Sequence, residues 1–336
     1  MAVLRFLSIL FSFFAVTLQS LTAQTQYVPR EHATGTLRVW GSEQMQELLR
    51  LWEGGFRRYQ PDVRFDERMK GTISAMGGLY AGAADLALLG REIWPEETLA
   101  YRQVTGSAPT GIQAALGSFD VPTKADALMI FVRRDNPLSE IRFDQLAALF
   151  GCADHRPPSW AQAGISGGLG KQPVHVYGYS PDNGGGKFFR HVVLHDAQWN
   201  CALHAFENRQ AAGGARIDAG KQIIDALTAD PLGIAISNIH YATPAVKALA
   251  ISEGPGSPFV PPARQEYSEG RYPLARAVYI YFHCGPTGTE CSAAVREFLR
   301  YVLSRQGQRD VNQEGEYGPL PESVRDGQLP NLPHLK

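Results

Sequence analysis

Three short turns rich in Gly, Ser and Thr each stand between a strand-like and a helix-like stretch: Gly41-Ser42, Gly71-Thr72-Ile73-Ser74 and Asn183-Gly184-Gly185-Gly186. The first N–H groups of a helix have no partner within it, and the aligned peptide dipoles leave positive potential there, so such turns attract anions. The hydroxyls of Ser42, Thr72 and Ser74 add donors. Capping alone accounts for a single Ser or Thr at a helix start; three such turns in one chain point to an anion site.

Signatures of catalysis were tested against the same stretches. Gly164-Ile-Ser-Gly-Gly168 fits G-x-S-x-G, but it follows Trp160 in a Pro- and Gly-rich stretch with no strand before it, whereas a nucleophile elbow needs strand then helix. Gly186-Lys187 resembles the end of a P-loop, yet Pro181 stands where the first Gly belongs and Phe188 replaces Ser or Thr. His191 and His195 are four apart on a predicted helix, but no third ligand stands at a metal-site spacing. No catalytic residue, metal or cofactor is therefore expected.

The elements that must position these turns follow from periodicity. Gly35–Trp40 reads as a strand, and Met45, Leu48, Leu49, Trp52 and Phe56 form one face of a helix. Strands are predicted at 63–68 and 84–89, with a short helix between them ending near Ala81. Further strands are predicted at 127–132, 174–179, 233–236 and 278–282, and helices at 143–150, 187–195, 222–227 and 295–303. Strand, Gly/Ser turn, helix, strand is the grammar of a parallel α/β sheet. Trp52, Phe56, Phe188 and Phe189 are read as core, and the Pro/Gly-rich stretches 152–171 and 252–269 as exposed loops.

Arg5, the apolar run Phe6–Leu18 and the small or polar residues up to Ala23 have the layout of a cleavable signal peptide. The run is too short to span a bilayer, which takes about 20 apolar residues. The roughly 310 residues that remain exceed what one core organises, so two domains are expected. With 32 basic against 33 acidic residues and no long block of either sign, binding to nucleic acid is disfavoured. Four cysteines in an exported chain point to disulfides. Cys284 and Cys291 flank a turn-rich stretch and are paired first, leaving Cys152 for Cys201; zinc is the competing reading, and no C-x-x-C spacing supports it.

The order of segments resembles the periplasmic phosphate-binding proteins of bacterial phosphate ABC transporters. The segments are Gly41-Ser42, Gly71-Thr72 with Ala84-Asp-Leu-Ala87, and Asp135-Asn136-Pro137 leading into 143–151. Near the end come Tyr272-Pro-Leu-Ala-Arg276, 298–304, Gln306-Gly-Gln308 and Gly318-Pro-Leu-Pro321. The resemblance implies a type II periplasmic-binding-protein fold, two α/β lobes around a ligand cleft, with lobe 1 at 36–124 plus 262–336 and lobe 2 at 125–261. It also implies a periplasmic or secreted monomer without enzymatic activity, binding phosphate or a similar oxyanion for an ABC transporter permease. Ser42 and Thr72 match hydroxyl donors of that family, with Ser74 nearby. Where the family has Ser-Gly-Thr, this chain has Gly184-Gly185-Gly186; the usual arginine falls near Ser180 and the acceptor carboxylate near Gly90, beside Arg91. Arg91, Lys187 or Arg190 is expected to restore positive charge. A ligand-sensing or adhesion module on the same fold is the alternative reading.

Overall fold

A computed structural model describes residues 26–152, 157–284 and 291–328; the predicted signal peptide and the turn inside Cys284–Cys291 lie outside them. Strand β1 (Gly35–Gly41) buries Leu37 and Val39 and turns the residues between them outward, the period of two that a half-buried strand requires. Helix α1 (Gln46–Phe56) buries Leu48, Leu49, Trp52 and Phe56. After it come β2 (Val63–Met69), α2 (Thr72–Tyr80), the wholly buried β3 (Leu86–Leu89), α3 (Pro95–Thr105) and β4 (Thr110–Leu116).

The chain then builds a second sheet. Its elements are β5 (Met129–Arg133), α4 (Phe143–Phe150), β6 (His175–Tyr179), α5 (Gly184–Val192), β7 (His204–Phe206), α6 (Ala219–Ala229), β8 (Gly233–Ser237) and β9 (Val246–Ala248). It returns to the first sheet with β10 (Ala277–Phe282) and ends in α7 (Ala293–Val302), α8 (Arg305–Glu314) and a short helix, Glu322–Gln328.

The first sheet has the order β2-β1-β3-β10-β4 and the second β9-β5-β8-β6-β7. Strands β1, β2 and β3 run parallel, whereas β10 lies antiparallel between β3 and β4. In the second sheet β6 is parallel to both β8 and β7. Parallel strands deliver their carboxyl ends to one edge, so the turns after β1, β2 and β3 gather on one side of the first sheet.

Two crossing segments, 117–128 and 272–276, join the sheets and lie side by side. Gly117 N–H donates to the Arg276 carbonyl (2.8 Å) and Leu128 N–H to that of Leu274 (3.1 Å). The buried Asn238 amide donates to the carbonyls of Phe119 (3.0 Å) and Ala127 (2.8 Å). A Cβ on Gly117 would stand 2.0 Å from the Ala125 carbonyl oxygen, so this close approach requires glycine. Thr123 and Ala125 hold φ of 78° and 51°, a left-handed conformation costing L-residues about 1–2 kcal/mol each. The hydrogen bonds around them hold that strain at the wall of the cleft.

Several expectations are corrected here. Cys284 is bonded to Cys291, and Cys152 and Cys201 face each other with sulfurs 3.7 Å apart and no bond between them. Cys152 N–H donates to Gln198 O (2.8 Å) and Asn200 N–H to Phe150 O (2.7 Å), a pairing that brings the two cysteine-bearing segments side by side. The stretches read as exposed loops contribute to the core: Trp160 and Tyr267 are buried. Among the described residues no helix is long and apolar enough to cross a membrane.

Candidate anion site

The carboxyl ends of the parallel strands meet across a cavity of about 230 Å³ between the two sheets. This is the edge at which open α/β sheets bind ligands. The first sheet supplies Ser42, Gln44, Thr72, Gly90 and Arg91; the second supplies Tyr179, Asn183, Gly184, Gly185 and Gly220; the crossing segments supply Asp126 and Arg276.

Local geometry explains why these turns converge. Gly71 N–H donates to Gly41 O (3.0 Å) and Ser42 N–H to Leu88 O (3.0 Å), tying the ends of β1, β2 and β3 together. Gly71 has φ of 101°, which favours glycine, and it releases the chain into α2 with Thr72 as the first helical residue. Asn183 caps α5, its side-chain oxygen accepting from Gly185 N–H (2.8 Å).

The sequence-predicted residues separate into those that face the cavity and those that do not. Ser42, Thr72, Arg91, Gly184 and Gly185 line it. Ser74 does not: its hydroxyl donates to Gly71 O (2.8 Å), and the residue lines a different cavity beside Trp40 and Arg68. Gly186 is buried behind the helix start, where a Cβ would stand 2.4 Å from Ser180 O; steric need, not anion contact, accounts for it. The N–H of Gly185 is already taken by Asn183. Arg91 is committed as well, with both terminal nitrogens on Glu97 (2.7 and 2.8 Å). That carboxylate neutralises the positive charge expected from Arg91, and it also accepts from Trp94 N–H (2.9 Å) at the start of α3.

Buried positive charge at the site comes from Arg276, to which sequence reasoning assigned no role. Its side chain is 93% buried, and its Nε has no hydrogen-bond partner among the described residues. The nearest carboxylate oxygen, on Glu92, is 3.8 Å away, beyond hydrogen-bond range. Nη2 lies 3.7 Å from where a Cβ on Gly184 would stand, and the guanidinium packs 5.3 Å over the Phe188 ring. Nε is closed off from solvent, so an anion in the cavity would meet the terminal nitrogens of this guanidinium, whose nearest carboxylate is out of hydrogen-bond range.

Asp126 shares the cavity. Burial between the lobes raises its pKa, against the opposing pull of Arg276 and, more weakly, His240. A protonated carboxyl donates a hydrogen bond to an oxyanion, whereas an ionised one offers only acceptors. Because the folded pKa lies above the unfolded one, the folded protein binds more protons across the interval between them, and stability falls as pH rises through it. Asp126→Asn is therefore expected to melt at a higher temperature than wild type near pH 8. The difference should close towards about pH 4, where free Asp titrates. Thermal denaturation across that range checks this; parallel pH profiles for the two proteins would contradict it.

Trp94 bridges the layers. The Arg91 guanidinium carbon lies 3.4 Å and the Lys187 Nζ 3.6 Å from its ring centroid, so a cation from each lobe rests on one indole. Such contacts contribute about 0.5–2 kcal/mol each. Lys187 thus ties the start of α5 to Trp94 while its charge stays outside the set of residues lining the cavity.

Two α/β sheets joined by paired crossing segments and facing each other over a polar cleft make the type II periplasmic-binding-protein fold. Residues 28–306 match the family model described as a PBP superfamily domain, and the chain belongs to that family. It is 28% identical over 315 residues to the phosphate-binding protein PstS of Pseudomonas aeruginosa, covering 92% of this chain and 91% of that one. It is 26% identical over 271 residues to protein SphX of Synechococcus elongatus, covering 79% and 72%. Among solved structures, PstS from Borrelia burgdorferi is similar with a TM-score of 0.54 at 14% identity, over 84% of this chain and 98% of that one. An ABC-type phosphate transport receptor from Vibrio cholerae aligns with a TM-score of 0.53 at 15% identity, over 84% and 99%. At these identities the structural likenesses establish the fold.

Proposed function

We propose that this chain is an extracytoplasmic solute-binding protein that holds phosphate or a closely related oxyanion between its lobes and presents it to an ABC transporter permease. The observation that carries this reading is Arg276, a buried guanidinium 3.8 Å from the nearest carboxylate oxygen, lining the same cavity as the first residues of α2 and α5. The similarity to phosphate-binding proteins over nine-tenths of the chain supports the choice of ligand. In this reading Ser42 and Thr72 donate hydroxyl hydrogens, the starts of α2 and α5 supply positive potential, and Arg276 supplies the countercharge. The protein carries out no chemistry on its ligand, works as a monomer after removal of residues 1–23, and divides into lobes at 36–124 plus 262–336 and 125–261. Titration calorimetry with inorganic phosphate tests the reading. One saturable site per chain is expected, and an absence of heat with phosphate, sulfate and phosphonates alike would refute it.

A further inference from the structure

The cavity is larger than an inorganic oxyanion needs. Its volume of about 230 Å³ is many times the roughly 10–15 Å³ that one water molecule requires, and a five-atom tetrahedral anion fills only a part of it. Four glycines, Gly90, Gly184, Gly185 and Gly220, line the cavity. A Cβ on Gly220 would stand 2.3 Å from the Tyr241 ring, so this glycine is what lets the tyrosine lie against the start of α6.

The space beyond Arg276 has its own polar lining. Tyr179 and Tyr241 both stand against Gly220 at the start of α6, and Asn208 and Arg216 line the same cavity. Arg216 donates its Nε to Asp218 (2.6 Å), the residue just before α6, so the second guanidinium is held at that helix start. Asn208 uses its side-chain oxygen to accept from Ala219 N–H (2.8 Å), which leaves its amide hydrogens as donors. The far end therefore offers donors to oxygen acceptors, across a surface suited to a short organic chain.

We propose that the cleft takes a monosubstituted phosphoryl or phosphonyl anion, its head at Arg276 and a short substituent running along Tyr179 and Tyr241 to an oxygen-bearing end at Arg216 and Asn208. This rests on the anion-site reading above. A tetrahedral oxyanion has four vertices that demand polar partners; exchanging one oxygen for a substituent leaves three. That suits a cavity in which Gly90 and Gly184 present no side chain to the ligand.

Calorimetric titration with inorganic phosphate, methylphosphonate and phosphoglycolate, on wild type and Arg216→Ala, tests this. Phosphoglycolate is expected to bind at least tenfold more tightly than phosphate. Arg216→Ala should weaken phosphoglycolate at least tenfold more than it weakens phosphate or methylphosphonate, neither of which reaches the far end. Arg216 is half exposed, so loss of folding is not expected, and a melting curve verifies this. Tighter binding of phosphate than of phosphoglycolate, or equal weakening of all three by Arg216→Ala, would overturn the substituent site while leaving the anion site standing. Binding of none of the three would overturn both.

Discussion

Arg276→Met is expected to lose phosphate binding while keeping the fold. Truncating one partner of a buried, hydrogen-bonded charge pair costs about 2–5 kcal/mol, so the dissociation constant should rise by roughly 30-fold to several thousandfold. Methionine preserves the contact with Phe188 and removes a buried cation whose Nε has no partner among the described residues. The melting temperature without ligand should therefore be unchanged or higher. That combination separates a ligand-binding residue from a structural one. Calorimetry and thermal denaturation of the same preparation read both quantities, and a variant that binds phosphate normally would show that the guanidinium serves the fold.

Thr72→Asp should act nearly as strongly. Thr72 opens α2 and lines the cavity, so the substitution removes a hydroxyl donor and sets a carboxylate beside the anion. Two like charges about 4 Å apart repel by about 4 kcal/mol at an effective dielectric constant of 20, which is close to a thousandfold in affinity. An acidic residue in the first turn of a helix is favourable for the helix itself, so the fold should tolerate the change. Phosphate binding that survives Thr72→Asp would place the anion away from this helix start.

The sequence made the scaffold legible and hid the centre of the site. Leu37 and Val39 alternate as a half-buried strand must, and Leu48, Leu49, Trp52 and Phe56 recur at helical spacing; these patterns report their own burial. The turns at Ser42 and Thr72 were visible because their chemistry is local. Arg276 and Asp126 were not, because they stand in crossing segments without periodicity. Tertiary pairing of 117–128 with 272–276 brings them to one cavity across 150 residues of chain. Tyr272-Pro-Leu-Ala-Arg276 did stand out as a family-like segment, but nothing in it marks the arginine as facing a cleft.

The pairing of Arg91, which lines the cavity, was hidden for a related reason. Its charge is evident in the sequence, but its neutralisation by Glu97 depends on how α3 begins: Pro95 at the first position and Glu97 at the third form a capping arrangement with Trp94. Gly186 misled because a glycine required by contact with Ser180 O and one that bares a backbone amide look alike in a string of letters. Phe188 was correctly read as buried, yet its ring also carries the Arg276 guanidinium.

The central claim is that an oxyanion sits against Arg276 between the helix starts of α2 and α5. A crystal structure grown with arsenate, a tetrahedral analogue of phosphate whose arsenic is marked by anomalous scattering, tests it most directly. The predicted result is one arsenic peak in the cavity, with anion oxygens about 2.7–3.2 Å from the Arg276 guanidinium and from donors at Thr72 and Gly184. A cavity that stays empty at saturating arsenate, with Arg276 turned onto Glu92, would contradict the account.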